Sequence, residues 1–271
     1  MYGTGITKNE ILKNFPLLEL SEEEAKSFTE KLKLKGEQRY KELYRAVLAE
    51  NNNQKLSYEV LTQHYRYDIK LRRALYKIIS FTELAMRASI ANKYGTEKIS
   101  EENIEDDIKR ITGKEIKFTK GEKKKIAYTF DSKKEMTLFE FLENVDMQIL
   151  NKIFCILDKE LIENIFSYDG HLKDNLDSMR KLRNAVMHNN LLIIKKYGKV
   201  WIDGQEKRDL KSHVENAIRL SPDIAKDNLR RLINSCLIID EEREEEYKKQ
   251  GKEGENRYRL FAKYKVYFEV V

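Results

Sequence analysis

The sequence is poor in the residues that interrupt helices. It holds only 2 prolines and 11 glycines in 271 residues, and proline breaks helices because it lacks a backbone N–H. Long helices joined by few tight turns are therefore expected. Hydrophobic residues make up 41% of the chain and charged residues 36%. This balance suits a buried core beneath a charged surface and excludes disorder throughout.

Cysteine and long apolar runs are scarce too. The two cysteines, Cys155 and Cys236, lie far apart and each sits among apolar residues. That spacing fits neither a disulfide framework nor a metal site, and it favours reduced core thiols. The start of the chain has no apolar signal region, and no apolar run approaches the length of a membrane span. The sequence therefore predicts a cytoplasmic protein without a membrane partner.

Positive charge is only in mild excess, and it is concentrated in one segment. The formal net charge is +6, which permits nucleic-acid binding but fits a charged soluble surface equally well. Segment 117–134 contains seven lysines and two acidic residues. Lysines can meet phosphates while interspersed rings stack on bases; the alternative is a solvated basic loop. The lysines predicted to contact RNA are Lys123, Lys124 and Lys125, and the interspersed rings are Phe118, Tyr128 and Phe130.

The hydrophobic periodicity predicts a mainly α protein. A short helix is expected from Ser57 to Leu61, and a long one over about 68–93 with Gly95 as its stop. A further helix is expected over about 174–189, ended by the left-handed backbone geometry of Asn189 and Asn190. Its buried stripe comprises Leu176, Met179, Leu182, Ala185 and Val186. Segment 191–203 reads instead as a small hairpin, and the alternating pattern of 258–270 as a strand that pairs with it. We predict an N-terminal helical region at 1–60, a helical core at 61–190, and C-terminal helices with a small β element at 191–271.

One short stretch combines groups suited to phosphodiester chemistry. Arg183, Asn184 and His188 place a guanidinium, an amide and an imidazole within six residues. The ribose 2′-hydroxyl of RNA can attack the adjacent phosphorus. A histidine can then move protons near neutral pH, an arginine can bind two phosphate oxygens, and an amide can orient either group. These three residues are the candidate catalytic set, and they need no metal or other cofactor.

The spacing within this stretch limits how one chain can use it. Asn184 and His188 are four residues apart and share a helix face, whereas Arg183 and His188 are five apart and point in different directions. They can converge through the length of arginine, a helix end or a second subunit. Arg208 and His213 have the same spacing, but Asp209 places negative charge where phosphate would bind. We therefore do not assign a site to that pair.

The residues resemble a known superfamily at this point. The pattern Arg183-Asn184-x-x-x-His188 resembles the active motif of HEPN proteins. Upstream, Tyr67-Asp68-x-x-Leu71-Arg72 followed by Glu83-x-x-x-Arg87 resembles the first core helix of Abi-like (abortive infection) HEPN proteins, in the same order. One departure is Asn189, because the superfamily commonly has a second histidine directly after the motif histidine.

The resemblance implies a HEPN-like helical bundle and a metal-independent endoribonuclease acting in phage defence. It also implies a homodimer whose two motifs face one another. Arg183 would bind the scissile phosphate, His188 would carry protons and Asn184 would position them. Glu83 or Arg87 would support Arg183 or the RNA, and Arg87 and Arg180 are candidate RNA contacts.

Two other functions stay open from the sequence. The protein can be a non-catalytic RNA-binding module that forms a ribonucleoprotein with a small structured RNA, since its lysine-rich segment and the basic stretch 257–265 both suit phosphate. It can also be a toxin component held by an antitoxin. The charged stretch 240–250 is the one sequence feature that bears on this alternative.

Overall fold

The structure is a computed structural model that describes residues 7–163, 165–166, 170–194, 197–223 and 225–227. The described chain is mainly α, as predicted, and its strands form three two-stranded sheets. It divides into two compact units. Within the described residues the first unit comprises 7–73 and 188–194, and the second comprises 74–187 and 197–227.

The first unit is built from short helices that enclose an aromatic core. Phe28 contacts both Phe15 and Tyr40 edge to face, with ring centroids 5.2 and 5.1 Å apart, and Tyr40 stacks on Tyr65 at 4.7 Å. Such ring pairs add stabilisation beyond the apolar area that they bury. Leu191, in the unit's second segment, joins the same core. The elements are α1 (Lys8–Asn14), β1 (Leu18–Glu19), α2 (Glu22–Lys35), α3 (Glu37–Glu50), β2 (Leu56–Ser57) and the start of α4 (Tyr58–Tyr94).

Helix α4 is longer than the sequence predicted. A short helix beginning after Ser57 and a long one over 68–93 were expected, but the structure has one continuous 37-residue helix. Nothing in 58–94 breaks a helix, and Ser57 caps the start by accepting a hydrogen bond from the Val60 amide at 3.3 Å. Gly95 ends it, as predicted. A Cβ at that position would lie 2.4 Å from the Ala91 carbonyl oxygen, so the close turn requires glycine.

The second unit contains the remaining helices, among them α10 (Leu172–Met187), which carries Arg183 and Asn184. The buried residues of α10 include Leu176, Met179, Leu182 and Val186, and the helix contacts α8, α11 and β5. The elements of this unit after α4 are β3 (Lys98–Ser100), α5 (Ile104–Thr112), α6 (Lys120–Phe130), β4 (Glu135–Thr137), α7 (Leu138–Asn144), α8 (Met147–Phe154), α9 (Lys159–Glu163), α10 (Leu172–Met187), β5 (Val200–Ile202), β6 (Gln205–Lys207) and α11 (Leu210–Arg219).

The small C-terminal β element exists, but its strands differ from the prediction. Segment 191–194 is not a strand, so a hairpin between it and 200–202 is wrong. Instead β5 pairs with β6 across Asp203 and Gly204, whose φ values are +50° and +74°. An Asp-Gly pair with two positive φ values is the preferred two-residue hairpin turn. The predicted strand 258–270 lies outside the described residues.

Polar groups at the contact between α10 and α11 are buried and satisfied. The ring of His213 is fully buried, and its Nε2 lies 3.1 Å from the Gly198 carbonyl oxygen. A carbonyl only accepts, so Nε2 carries the proton and Nδ1 accepts from the Ser178 hydroxyl. The Asn216 amide donates to the Asn175 carbonyl at 3.0 Å. Satisfied buried polar groups of this kind hold α10 in one register against α11.

None of the helices in the described part of the chain combines the length and apolar character that a membrane crossing requires.

The burial of His213 predicts a loss of stability in mild acid. Burial lowers the pKa of His213 below the usual 6.5, although the Gly198 carbonyl and Asp209 oppose the shift. The unfolded chain then binds a proton that the folded chain refuses, so this contribution is intact above pH 6.5 and declines below it. Thermal melts from pH 7.5 to 5 should show the Tm of the wild type falling more steeply with decreasing pH than the Tm of His213→Gln. Parallel curves would contradict this account of His213.

Candidate active site

Helix α10 presents the first two motif residues on its polar side. Arg183 and Asn184 follow the buried Leu182, and both side chains are half-buried. Since successive residues of a helix turn by about 100°, burying Leu182 and Val186 directs Asn184 away from the core and leaves Arg183 at the margin of the buried stripe. The sequence predicted this arrangement, and the helix ends at Met187, close to the predicted 189.

Arg183 belongs to a partly buried cluster with Glu83 and Arg87. The Glu83 carboxylate binds Arg87 tightly, with Nη2 2.6 Å from Oε1, and Arg87 Nη2 also donates to the Val145 carbonyl at 3.0 Å. The other carboxylate oxygen lies 3.5 Å from Nε of Arg183. The side chains of Arg87 and Glu83 are 12% and 14% exposed, against 29% for Arg183. One carboxylate thus faces two guanidinium groups.

The cluster retains positive charge and unused donors. Nε of Arg183 and Nη1 of Arg87 are buried and hydrogen-bond to none of the described residues. The two terminal nitrogens of Arg183 bond to no described residue either, and they are not among the buried unpaired atoms, so they remain accessible. Glu83 therefore holds Arg183 near its Nε while the terminal fork stays open. An open guanidinium fork is the geometry that binds two oxygens of a phosphate.

His188 lies just beyond α10, at the start of the short segment that belongs to the first unit. It is exposed, and its imidazole makes no hydrogen bond with any described residue. The Asn184 amide, which was predicted to position it, has no described hydrogen-bond partner either. Neither side chain is therefore engaged in hydrogen bonds with the described part of the fold.

Asn189 ends the helix in the left-handed conformation that the sequence predicted. Its φ is +54°, which asparagine tolerates better than most residues. Its Oδ1 accepts a hydrogen bond from Nη1 of Arg72 at 3.1 Å. Burial raises the pKa of the neighbouring Asp68 carboxyl, and Arg72 together with the amides of Leu192 and Ile193 opposes that rise. Asn189, which occupies the position of the second histidine, thus ends the helix and bonds it to Arg72.

The other two arginines predicted to contact RNA, Arg180 and Arg87, are engaged in hydrogen bonds within the protein. Arg180 donates from both Nε and Nη2 to one oxygen of Asp177, at 3.1 and 2.6 Å. Arg87 is committed to Glu83 and Val145, as described above. Neither guanidinium is presented as openly as that of Arg183.

The lysine-rich segment is a helix rather than an interlude or loop. Thr119 and Glu122 form a capping box at the start of α6, a local signal that the sequence contained. Lys123 lies 3.3 Å from Glu105, and Lys125 lies 2.7 Å from Asp146. Lys124 is exposed and has no described partner. The three predicted lysines are thus not equivalent.

The rings predicted to stack on bases are mostly in the core. Phe118 is 7% exposed and Phe130 is fully buried, so that part of the prediction is wrong. Tyr128, by contrast, is 73% exposed. It lies four residues after Lys124 on α6 and so shares a helix face with it.

The remaining histidines carry no comparable site. His213 is fully buried whereas Arg208 is exposed and bonds to Glu206 at 2.7 Å, so this pair does not present both groups to solvent. His64 is buried, and His171 stacks on Trp201 with centroids 4.7 Å apart. Across the described residues, no group of three or more His, Cys, Asp or Glu side chains is arranged to hold a metal ion.

Comparison with known proteins decides the family. Residues 32–193, more than half of the chain, match the model of the Abi-like protein family. The chain belongs to the Abi-like family. Membership supports a role in abortive infection, a defence against phage, in general terms. No curated protein and no solved structure matches the chain. The matched residues include α4 and α10 and end before β5, so the hairpin and α11 lie beyond the family region.

The cluster around Glu83 predicts a measurable stability cost. Glu83→Gln keeps the shape of the side chain but leaves two partly buried guanidinium groups without a counter-charge. We expect it to lower the free energy of unfolding by about 1–3 kcal/mol. Glu163→Gln is the matched control, because Glu163 pairs with Lys159 on the surface at the same four-residue spacing. That change should cost at most about 0.5 kcal/mol. Equal losses in urea melts of the two variants would contradict the role given to Glu83.

Proposed function

We propose that this Abi-like protein is a metal-independent endoribonuclease of the HEPN type, acting in phage defence. The observation that supports it most is the state of the motif: Arg183 has an open guanidinium fork tethered at Nε, and His188 is exposed with its imidazole unengaged. A motif residue serving only the fold would be expected to bond within the fold. The resemblance of Arg183-Asn184-x-x-x-His188 to the HEPN motif supplies the reaction class.

Arg183 binds the scissile phosphate in this proposal. Its terminal nitrogens donate to two non-bridging oxygens and hold the charge that grows on them as the phosphorus becomes five-coordinate. Glu83 limits the rotation of the guanidinium by its contact with Nε. Since Arg87 takes the shorter contact with Glu83, Arg183 keeps most of its charge for the substrate.

His188 carries protons. It accepts the proton of the 2′-hydroxyl, whose oxygen attacks phosphorus; the bond to the 5′-oxygen then breaks, and the imidazolium gives its proton to that leaving oxygen. The products are a 2′,3′-cyclic phosphate and a 5′-hydroxyl. Asn184 orients the imidazole or the substrate through its unengaged amide.

A homodimer belongs to the proposal. The family resemblance implies two opposed motifs, and within one chain Arg183 lies on α10 whereas His188 lies past the end of that helix at Met187. Two copies with their motifs opposed would supply an arginine from one and a proton carrier from the other.

Cleavage assays on the purified protein test this function. Wild type should cut mixed single-stranded RNA in excess EDTA, and His188→Ala should lower the rate about 10²–10⁴-fold. Arg183→Lys keeps the charge but loses the fork, and we expect a loss of about 10²-fold or more. Arg208→Ala is the matched control, since Arg208 is exposed on the other arginine–histidine pair. An intact RNA pool with dimeric wild type, or equal cutting by His188→Ala, would contradict the proposal.

A second candidate, RNA binding without cleavage, is favoured by one surface of α6. Lys120, Lys124 and Tyr128 follow one another at four-residue intervals and are all exposed. Neither of the two lysines has a described partner. A row of free cations beside an exposed ring suits a single strand, with phosphates on the lysines and a base on the ring.

Binding measurements separate this surface from the active motif. Lys124→Ala and Tyr128→Ala should each weaken binding of a single-stranded RNA several-fold, and Lys124→Ala should also lower the salt dependence of binding by about one counterion. Lys123→Ala is the control, because that lysine already pairs with Glu105. Binding retained by His188→Ala, without any cleavage by wild type, would favour this second function over the first. If all three α6 variants bind like wild type, α6 is not the RNA surface.

A further inference from the structure

A buried ion pair on α4 forms hydrogen bonds with the residues that follow His188. Asp68 is fully buried and Arg72 is 7% exposed, and Nε of Arg72 donates to Asp68 Oδ2 at 2.9 Å. The same arginine donates from Nη1 to Asn189 Oδ1 at 3.1 Å. The other oxygen of Asp68 accepts from the Leu192 amide at 2.7 Å. All of these residues lie in the first unit.

The two hydrogen-bonded residues, Asn189 and Leu192, are three positions apart and bound a turn. Asn189 has a φ of +54°, which reverses the chain after α10. Leu191 and Leu192 then enter the interior, with 3% and 0% exposure. The carboxylate–guanidinium pair thus fixes one side chain and one main-chain amide of the same short segment.

Such a pair is a costly way to end a helix. Removing two charges from water carries a large desolvation penalty, which their mutual attraction offsets only with good geometry and further hydrogen bonds. A glycine cap would close the helix without that cost. The further hydrogen bonds of this pair go to Asn189, Leu192 and Ile193, so its specific effect is on the segment after His188.

The side chain of His188 has no such support of its own. It makes no hydrogen bond with the described residues, so its placement depends on the backbone from which it projects. A proton carrier must lie within about 3 Å of the atom that it serves, and a displacement of 1 Å can lower a rate by about 10²-fold.

We infer that Asp68 and Arg72 are positioning residues for His188, and that they act through Asn189 and the Leu192 amide. The inference rests on the proposed function for its catalytic consequence, but the positioning itself is a physical claim about the His188 turn. It also assigns Asn189 a role as the anchor of that turn.

The sharpest probe removes the hydrogen bond and keeps the backbone. Asn189→Gly tolerates the positive φ but cannot accept from Arg72. Asn52→Gly is the matched control, since Asn52 has a φ of +50° in a turn between α3 and β2. Asn189→Asp restores an acceptor for Arg72 and serves as the rescue.

With RNA as substrate, Asn189→Gly should lower kcat by about 10- to 100-fold and leave KM within about twofold, because substrate binding is not the property removed. Asn189→Asp should recover most of kcat, and Asn52→Gly should match wild type. A kcat for Asn189→Gly equal to that of Asn52→Gly would overturn the inference.

A second readout needs no activity and so separates this inference from the ribonuclease proposal. Hydrogen exchange at the Leu192 amide and NMR relaxation of the His188 imidazole report the turn directly. Both should show greater mobility in Asn189→Gly than in Asn52→Gly, even if no RNA is cut. A His188 ring as ordered in Asn189→Gly as in wild type would overturn the inference whatever the fate of the proposed function.

Discussion

Helix α4 carries two ion pairs, each between an acid and the arginine four residues later. One contacts the residues after His188, and the other contacts Arg183. Asp68 with Arg72 reaches Asn189 and Leu192, next to His188. Glu83 with Arg87 reaches Arg183. The first pair is buried and bonds to Asn189 and the Leu192 amide, whereas the second leaves Nη1 of Arg87 and Nε of Arg183 buried without hydrogen bonds among the described residues. The first suits a fixed turn, and the second suits a site that keeps charge for an anion.

The packing of α10 explains why the motif residues can be both fixed and available. Leu176, Met179 and Leu182 are fully buried, and helical geometry then leaves Asn184 on the outer side. The contact with α11 adds buried hydrogen bonds from Ser178 and Asn216. This support for α10 comes from α11, which lies beyond the residues that match the family model.

Much of this arrangement was readable from the sequence. The buried stripe of α10 and the left-handed end at Asn189 follow from helical periodicity and asparagine chemistry, and both were predicted. The pairing of Glu83 with Arg87 also follows from their four-residue spacing. The third member, Arg183, lies 100 residues further along the chain, and its support by this pair was expected from the family resemblance alone, because local patterns do not specify tertiary neighbours.

The incorrect predictions have local causes. The hairpin prediction weighed the apolar run at 191–194 above Asp203-Gly204, although the latter is the stronger turn signal. The lysine-rich segment was treated as an interlude because its charge obscured the Thr119–Glu122 capping box. Phe118 and Phe130 were assigned to stacking because composition alone does not reveal which rings of 117–134 are buried, and that is decided by tertiary packing.

The chemical nature of the cut ends tests the central claim most directly. If His188 and Arg183 promote attack by the 2′-hydroxyl, RNA cut by wild type in EDTA must carry 2′,3′-cyclic phosphate and 5′-hydroxyl ends, which mass spectrometry and end-specific ligation distinguish. RNA in which the 2′-hydroxyls are replaced by 2′-O-methyl groups must stay intact. Fragments with 5′-phosphate and 3′-hydroxyl ends, or cleavage of the methylated RNA, would contradict the mechanism.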